Sequence, residues 1–258
     1  MTARDRWLEH PLCAPRATMP DGFWGPEQLE LAAYRELVEL TETASEVQAL
    51  KEALSGIAEV VDVGGGAGLV ARELAERMKV TVIEPAGALR EQLPPNVEGR
   101  AGRAESLPLE DRSVEAALAT WVLQHTYDPL SSIEELARVA SRKVAIVQAA
   151  PNNDLVAIYN RQAAVAGAPP AHHGWLLVEA ASRLEEAGFD VALSHVPIAV
   201  RAPAGGARTL AMTLARLHFS GHPALAAIIA ATEPFIASRL AAGKVCDDGA
   251  LLVAERRS

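Results

Sequence analysis

Cysteine is almost absent from this 258-residue sequence, which contains only Cys13 and Cys246. Two cysteines this far apart provide neither a disulfide framework nor the ligand spacing of a metal site. We therefore expect no bound metal. The low cysteine content is also typical of a protein of the reducing cytoplasm.

Long apolar runs are missing as well. The first residues, M-T-A-R-D-R-W-L-E-H, lack the apolar centre of a signal peptide, and no segment reaches the ~18 apolar residues of a membrane span. We therefore expect a cytoplasmic protein that makes no contact with a membrane.

Basic residues are outnumbered, because 24 Lys and Arg stand against 33 Asp and Glu, and the formal net charge is −9. Since phosphate binding requires a basic surface, this balance argues against nucleic acid as a partner. Half of the residues are hydrophobic and 22% are charged, which is typical of a globular protein. The length suits one α/β domain with some elaboration, and nothing in the sequence indicates the oligomeric state.

The most informative stretch is residues 59–68, which read E-V-V-D-V-G-G-G-A-G. Its valines are typical of a short buried parallel strand, and the glycines that follow predict a turn. Residues 69–78 then have the apolar spacing of an amphipathic helix. A strand, a glycine turn and a helix in this order begin the nucleotide site of a doubly wound sheet, because glycines let the backbone approach a ligand closely.

Two kinds of nucleotide site are compatible with these glycines. Gly66, Gly68 and Ala71 satisfy the G-x-G-x-x-G/A spacing of a dinucleotide site such as that for NAD. Asp62 followed by glycines at two-residue steps, D-x-G-x-G-x-G, resembles motif I of class I S-adenosylmethionine (SAM)-dependent methyltransferases. That resemblance implies that Asp62 faces the cationic amino end of the methionine portion.

Glu84 supports nucleotide binding without choosing between these two cofactors. It follows a predicted strand at Lys79–Ile83 and lies about twenty positions beyond the glycine turn, and Pro85 ends the strand. A carboxylate at this place can accept hydrogen bonds from two ribose hydroxyls in either type of site.

Two further segments distinguish the cofactors. Residues 102–113 read G-R-A-E-S-L-P-L-E-D-R-S, and residues 121–129, after a predicted strand at Val114–Thr120, read W-V-L-Q-H-T-Y-D-P. They resemble the A-E-x-L-P-(F/L)-x-D-x-S segment and the V-L-x-H turn of the UbiE-like, type 11 small-molecule methyltransferases. The similarity runs from about residue 59 to 149 and continues more weakly to the C-terminus. An NAD site leaves both segments unexplained.

The resemblance implies roles for residues in these segments. Ala104 borders the adenine ring. Because Arg103 replaces the acidic residue that the family often has, either Glu105 or a backbone carbonyl accepts a hydrogen bond from the adenine amino group, or adenine recognition is looser. Thr120 and Trp121 face the methionine portion and the reacting methyl group, and His125 is either a structural histidine or a proton acceptor. The cofactor-binding residues predicted in this way are Asp62, Gly64, Gly65, Gly66, Gly68, Glu84, Pro85, Ala104, Glu105, Thr120, Trp121 and His125.

Substrate contacts are predicted on both sides of this region. Residues 1–57 form an N-terminal helical arm or lid, in which Trp24 and Tyr34 either line a substrate pocket or pack the arm onto the domain. His172 and His173 lie in a Pro/Gly loop, and His173 with His125 is a candidate general base, although exposed loop histidines are common. Trp121 is a further candidate for the pocket wall.

We therefore predict a Rossmann-like α/β fold, a doubly wound, mostly parallel seven-stranded sheet with an antiparallel last strand and helices on both faces. The SAM-binding domain spans residues 58–258, with helical cover segments at about 152–187 and 203–245 and a sixth strand at 189–200. The expected reaction transfers methyl from SAM to an O, N or C nucleophile of a small molecule, such as a secondary-metabolite intermediate, and yields S-adenosylhomocysteine. The alternatives are an NAD-dependent oxidoreductase and a SAM-binding protein without methyl transfer, acting as a regulator or in another reaction.

Overall fold

The structure, a computed structural model, describes residues 30–150, 153–168 and 175–257. Predictions for Trp24, His172 and His173 therefore lie outside the described residues. The helices are α1 (Leu31–Leu40), α2 (Ala44–Ala53), α3 (Leu69–Leu74), α4 (Gly87–Arg90), α5 (Pro129–Val139), α6 (Asp154–Ala166), α7 (Trp175–Glu186), α8 (Gly206–Phe219) and α9 (Leu225–Ala241). The strands are β1 (Thr41–Glu42), β2 (Glu59–Val63), β3 (Lys79–Ile83), β4 (Glu98–Arg100), β5 (Val114–Thr120), β6 (Ala140–Ala149), β7 (Phe189–Val196), β8 (Ala199–Val200), β9 (Val245–Cys246) and β10 (Gly249–Arg256).

Seven strands form the central sheet in the order β4-β3-β2-β5-β6-β10-β7. Neighbouring strands from β4 to β6 pair in parallel, whereas β10 is antiparallel to both β6 and β7. The order reverses at β2, so the crevice beyond the carboxyl ends of β2 and β5 is where a doubly wound sheet binds its ligand. The predicted fold class is confirmed.

Helices cover both faces of this sheet, because its central strands are apolar on both sides. Val61 and Val63 of β2 face a core shared with α5 and α7, to which Leu136 and Leu184 contribute. Val60 faces the opposite core, which contains residues of α2 and α3. Asp62 interrupts this apolar strand and is itself buried.

The sixth predicted strand is shorter than expected. The prediction placed it at 189–200, but β7 ends at Val196 and the chain then enters a separate small sheet in the order β1-β8-β9. Pro197 explains the break, because proline has no N–H to donate to the ladder. The two residues of β8 thereby leave the main sheet and pair with β1 and β9 instead.

A helical layer lies beside the sheet and consists of α1, α6, α8 and α9. Its core includes Leu155 of α6, Leu214 of α8 and Ile236 of α9. In contrast, α7 packs against the sheet through Leu176 and Leu184, although its residues fall in the predicted cover segment at 152–187. Within the described ranges, no helix has both the length and the apolar character needed to cross a bilayer.

The N-terminal helix α1 is tied to α8 by polar contacts as well as by packing. Arg216 pairs with both Glu30 and Glu36, and the Thr213 hydroxyl donates a 2.8 Å hydrogen bond to Glu36. Ion pairs at a partly exposed surface contribute little individually, but a shared guanidinium fixes the orientation of two elements. This attachment holds one face of α1 over the cavity described next.

Candidate functional site

A cavity of about 460 Å³ opens beyond the carboxyl ends of β2 and β5. Its walls come from the glycine turn after β2, from the segment after β5, and from α1, α6 and α8. This volume is within the range of sites that hold drug-sized ligands or cofactors. The cavity therefore joins the predicted cofactor region to the helical layer.

The glycine turn contributes backbone to the cavity wall. Gly64, Gly66 and Gly68 have φ angles of 71°, 58° and 77°, a left-handed conformation that favours glycine. The turn is held by hydrogen bonds from the Gly64 N–H to the Ile83 carbonyl at 2.7 Å and from the Gly68 N–H to the Gly65 carbonyl at 2.9 Å. Gly64, Gly65 and Gly66 line the cavity, whereas Gly68 lies behind them as the residue before α3.

Gly65 is required for a different reason, which is space. A Cβ atom at this position would lie 2.8 Å from Cγ of Asp62 and 3.2 Å from a methyl carbon of Val82. Both distances are shorter than normal van der Waals contacts. The turn therefore packs directly against the Asp62 carboxylate, and only glycine leaves room for it.

Asp62 is fully buried and lines the cavity. Neither carboxylate oxygen has a hydrogen-bond partner within the described chain. Burial, followed by the charges of Glu46 and Glu84, raises the pKa of Asp62 to about 7. A buried and unpaired carboxylate is costly, so this site favours a ligand that brings a positive charge or hydrogen-bond donors.

Glu84 is also buried, and its carboxylate is bound to backbone. It accepts hydrogen bonds from the N–H of Gly66 at 3.2 Å and from the N–H of Ala86 at 2.9 Å. Glu84 therefore anchors the glycine turn to the end of β3, while its neighbour Pro85 is exposed. Neither residue is part of the cavity lining in the described chain, so the ribose contact stays a prediction.

The predicted adenine-side residues lie elsewhere. Ala104 is buried in the core, and Glu105 accepts a 2.6 Å hydrogen bond from the Tyr127 N–H. The Arg103 guanidinium lies 4.4 Å from the centre of the Tyr127 ring and within 3.6 Å of Glu105. Glu105 is thus engaged locally. Among the described residues, neither Ala104 nor Glu105 lines the cavity, and their cofactor roles stay predictions.

Thr120, the last residue of β5, lines the cavity, as do Trp121 and His125 in the segment that follows, and their contacts with the cofactor stay predictions. Trp121 has a positive φ of 58°, which is unusual for a residue other than glycine, and its N–H donates to the Val147 carbonyl at 2.9 Å. Its indole nitrogen donates a 2.8 Å hydrogen bond to Glu46. His125 ends a short 3-10 turn, Leu123–His125.

Tyr34 of α1 lines the cavity, as one of its two predicted roles requires. Several further polar residues of the lining were not predicted from the sequence, among them Glu46, Gln148, Tyr159, His218 and Asp247. The Tyr159 and His218 rings meet edge to face with their centres 5.3 Å apart. Because aromatic residues are scarce in this chain, the sequence does offer a signal for Tyr159 as a candidate site residue. It offers no such signal for Glu46, which lies in an ordinary amphipathic helix.

Metal binding finds no support in the described part of the chain. No group of three or more His, Cys, Asp or Glu side chains there is placed to hold a metal ion. Cys246 is a free thiol and is partly buried.

Comparison with known proteins identifies one family over the centre of the sheet. Residues 61–147, which include the glycine turn and the segment after β5, match the family described as "Methyltransferase domain". An uncharacterized methyltransferase of Mycobacterium bovis is 39% identical over 85 residues, which are 31% of this chain and 34% of that protein. The chain thus spans about a third of the length of the curated relatives that it matches.

Solved structures extend the likeness in fold to most of the chain. The YcgJ protein of Bacillus subtilis superposes with a TM-score of 0.58 at 18% identity, over 84% of this chain and 100% of that one. The [4+2]-cyclase SpnF superposes with a TM-score of 0.50 at 21% identity, over 82% of this chain and 79% of that one. At this level of identity the two structures share a fold with this chain and nothing more specific.

Proposed function

We propose that this chain, whose residues 61–147 match a methyltransferase domain, is a class I SAM-dependent methyltransferase that transfers a methyl group from SAM to a small organic molecule. The observation that carries the proposal is the Asp62 carboxylate, which is buried, unpaired within the described chain and part of the cavity wall beside Gly64, Gly65 and Gly66. An unpaired carboxylate in this position fits the ammonium group of the methionine portion.

The residues present fit this cofactor in other respects. Glu84 fixes the glycine turn through the Gly66 N–H, and its carboxylate is the proposed ribose ligand at the end of β3. Thr120, Trp121 and His125 lie on the cavity wall after β5, where the family resemblance puts the reacting methyl group. The proposed cofactor-binding residues also include Gly68, Pro85, Ala104 and Glu105. The adenine ring is proposed to lie beside Ala104.

SAM, when bound, supplies a methyl group made electrophilic by the adjacent sulfonium. The contribution of this chain is to hold the acceptor in line with that methyl group, and such orientation is worth on the order of 7 kcal/mol of barrier in well-aligned systems. The apolar side chains of α1 and α6 around the cavity, such as Leu37, Leu155 and Val156, exclude water from it. His125 is the proposed proton acceptor where the nucleophile carries a proton, because a histidine titrates near neutral pH.

The proposed substrate is a small molecule, such as a secondary-metabolite intermediate. The cavity has room for a ligand of that size and the net charge of −9 disfavours nucleic acid. A second candidate is cofactor binding without methyl transfer, which the shared fold of a [4+2]-cyclase keeps open. The NAD alternative accounts for Gly66, Gly68 and Ala71 but not for a methyltransferase domain over residues 61–147.

Calorimetric titration with S-adenosylhomocysteine and, separately, with NAD tests the cofactor. We expect binding of S-adenosylhomocysteine and no heat with NAD, and the reverse result would refute the proposal. Transfer of radiolabelled methyl from SAM into a small-molecule extract, with Gly65→Ala as the negative control that should not bind the cofactor, then tests the reaction. Cofactor binding without any labelled product would favour the second candidate.

A further inference from the structure

Besides the exposed Glu39, two carboxylates that the proposed function does not use also line the cavity, Glu46 and Asp247. Glu46 lies in the first turn of α2 and is only 2% exposed. Its Oε1 accepts the hydrogen bond from the Trp121 indole nitrogen. Burial raises the pKa of Glu46 to about 7, against the lowering effect of that hydrogen bond. The position therefore places a potential negative charge in a mostly apolar wall.

Asp247, just before β10, is the second carboxylate. Its Oδ1 lies 3.4 Å from the Asn153 amide nitrogen, and its backbone N–H donates to the Ile198 carbonyl. Burial, followed by the charges of Glu46 and Asp248, raises the pKa of Asp247 well above its usual range. Within the described residues, neither Asp247 nor Glu46 forms an ion pair with a lysine or arginine.

An independent observation comes from Gln148, the penultimate residue of β6. Gln148 is 5% exposed and lines the same cavity. Its amide nitrogen donates to the Gln124 side chain at 2.5 Å, but its Oε1 accepts no hydrogen bond within the described chain. A buried acceptor without a donor is costly, so this atom also favours a ligand that carries N–H or O–H groups.

The surroundings of these acceptors are mostly apolar and aromatic, with Arg35, Glu39 and His218 as further charged or titratable residues of the lining. The wall includes Leu31, Leu37, Val38, Leu155, Val156 and Leu217. Only 4% of the chain is aromatic, yet Tyr34, Trp121 and Tyr159 all belong to this one wall. Aromatic faces attract cations, and an ammonium group between a carboxylate and an indole gains from both.

Glu46 lies within electrostatic range of carboxylates on both sides of it. Its charge raises the pKa of Asp62 and also that of Asp247. The proposed function pairs the ammonium group of the cofactor with Asp62, so this cation compensates only one of the three carboxylates. Glu46 and Asp247 form no ion pair within the described residues, although Arg35 also lines the cavity, so a second ligand that carries a positive charge would stabilise their ionised forms.

We infer that the small-molecule substrate carries a basic nitrogen, which binds as an ammonium ion at Glu46 and Asp247 beside Trp121, an inference that rests on the proposed function. The apolar remainder of the substrate packs against the leucines and valines of α1 and α6. Gln148 offers its carbonyl oxygen to a further N–H or O–H group of the same molecule. This assigns the substrate class, amphipathic amines, and two residues that recognise it.

Matched probe ligands test the inference by calorimetry on the protein saturated with S-adenosylhomocysteine. The probes are 3-phenylpropylamine, 3-phenylpropanol and 3-phenylpropionate, which share a skeleton and differ in charge. We expect the amine to bind about tenfold more tightly than the alcohol, and the acid to bind more weakly than either, because only the amine pairs with the carboxylates. Equal binding of amine and alcohol, or no binding of the amine, would overturn the inference.

Charge-removing variants locate the site. Glu46→Gln and Asp247→Asn should each weaken amine binding about fivefold or more and leave alcohol binding within about twofold. Glu52→Gln is the matched control, because Glu52 is an exposed carboxylate on the same helix α2. The affinity of every variant for S-adenosylhomocysteine, measured first, reports folding and the cofactor site. If the unmodified protein does not bind S-adenosylhomocysteine, the proposed function is refuted. If the unmodified protein binds it and Glu46→Gln does not, Glu46 belongs to the cofactor site and the inference is refuted.

Discussion

The Trp121 indole nitrogen donates a 2.8 Å hydrogen bond to the Glu46 carboxylate, across 75 positions of sequence. This bond joins the end of β5 to helix α2, which precedes the central sheet in the chain. Trp121 also has a left-handed backbone, with φ at 58°, and such a conformation persists where surrounding contacts hold it. A wall of the proposed substrate cavity therefore depends on a contact between a buried acid and an unusually placed tryptophan.

Asp62→Asn should stabilise the ligand-free protein near pH 8 and weaken cofactor binding. The folded-state pKa of Asp62 is raised from 3.8 to about 7, so its ionisation opposes folding as pH rises between these values. The free energy of unfolding should therefore decrease less steeply with rising pH in the variant than in the unmodified protein. The decrease that remains is due to Glu46 and Asp247. Near pH 8 we expect a gain of about 1–3 kcal/mol in urea denaturation, because a neutral amide replaces an unpaired buried charge.

The same variant should bind S-adenosylhomocysteine about tenfold or more weakly, because an amide forms a weaker bond to an ammonium group than a carboxylate does. Calorimetry at the same pH gives this affinity. The combination of higher stability and weaker binding identifies a functional carboxylate that the fold alone does not need. A variant that is less stable than the unmodified protein at both low and high pH would contradict this view of Asp62.

Glu84→Gln and Glu105→Gln separate the two acidic residues predicted at the cofactor. Glu84 accepts the Gly66 and Ala86 N–H groups, whereas Glu105 accepts the Tyr127 N–H outside the cavity wall. We expect Glu84→Gln to weaken S-adenosylhomocysteine binding about tenfold, because an amide presents one acceptor oxygen in place of two. Glu105→Gln should weaken it only about twofold to threefold, because an amide oxygen at this position can still accept a hydrogen bond from adenine. A larger loss in Glu105→Gln than in Glu84→Gln would reverse these assignments.

Gly65→Ala should abolish cofactor binding by steric conflict alone. The added Cβ would meet Cγ of Asp62 at 2.8 Å, so either the carboxylate or the turn must move. Gly87→Ala is the matched control, because the nearest side-chain atom to a Cβ there is 3.6 Å away, an ordinary contact. We expect Gly87→Ala to be neutral or to stabilise by about 0.5 kcal/mol. Calorimetry and thermal unfolding of both variants test this, and unchanged binding by Gly65→Ala would show that the turn has more room than the structure indicates.

The sequence was sufficient to predict the sheet and the glycine turn, because local rules determine both. Valine runs in β2 and left-handed glycines at 64, 66 and 68 are properties of single segments. The end of β7 at Val196 differs from the prediction because Pro197 has no N–H to donate to a ladder.

The carboxylates Glu46 and Asp247 of the cavity wall could not be predicted from the sequence, for a different reason. Glu46 belongs to a helix of ordinary composition, and Asp247 lies in a short segment between two strands. Nothing in either segment marks these carboxylates as cavity residues, because the cavity is formed around them by α1, α6 and the segment after β5. Placement of distant elements, and not local pattern, decides such a site.

Trp121→Phe tests the contact between β5 and α2, because it keeps an aromatic ring and removes the N–H. The hydrogen bond lowers the pKa of Glu46, which burial raises to about 7, so its loss raises that pKa further. A group whose folded-state pKa is raised loses its stabilising contribution as pH increases through that value. Below pH 5, Glu46 is protonated in both proteins. The decrease in the free energy of unfolding caused by Trp121→Phe should therefore be smallest there.

Urea denaturation at about pH 5 and about pH 8.5 measures this difference, and we expect the cost of Trp121→Phe to be about 1–2 kcal/mol greater at the higher pH, because an ionised acceptor then loses its donor. The double variant Trp121→Phe with Glu46→Gln isolates the pair, since removing the charge should remove the pH-dependent part and leave only the packing cost. A cost that is equal at both values would mean that Glu46 is not ionised when the protein is folded at pH 8.5, and hence that it holds no ammonium ion there.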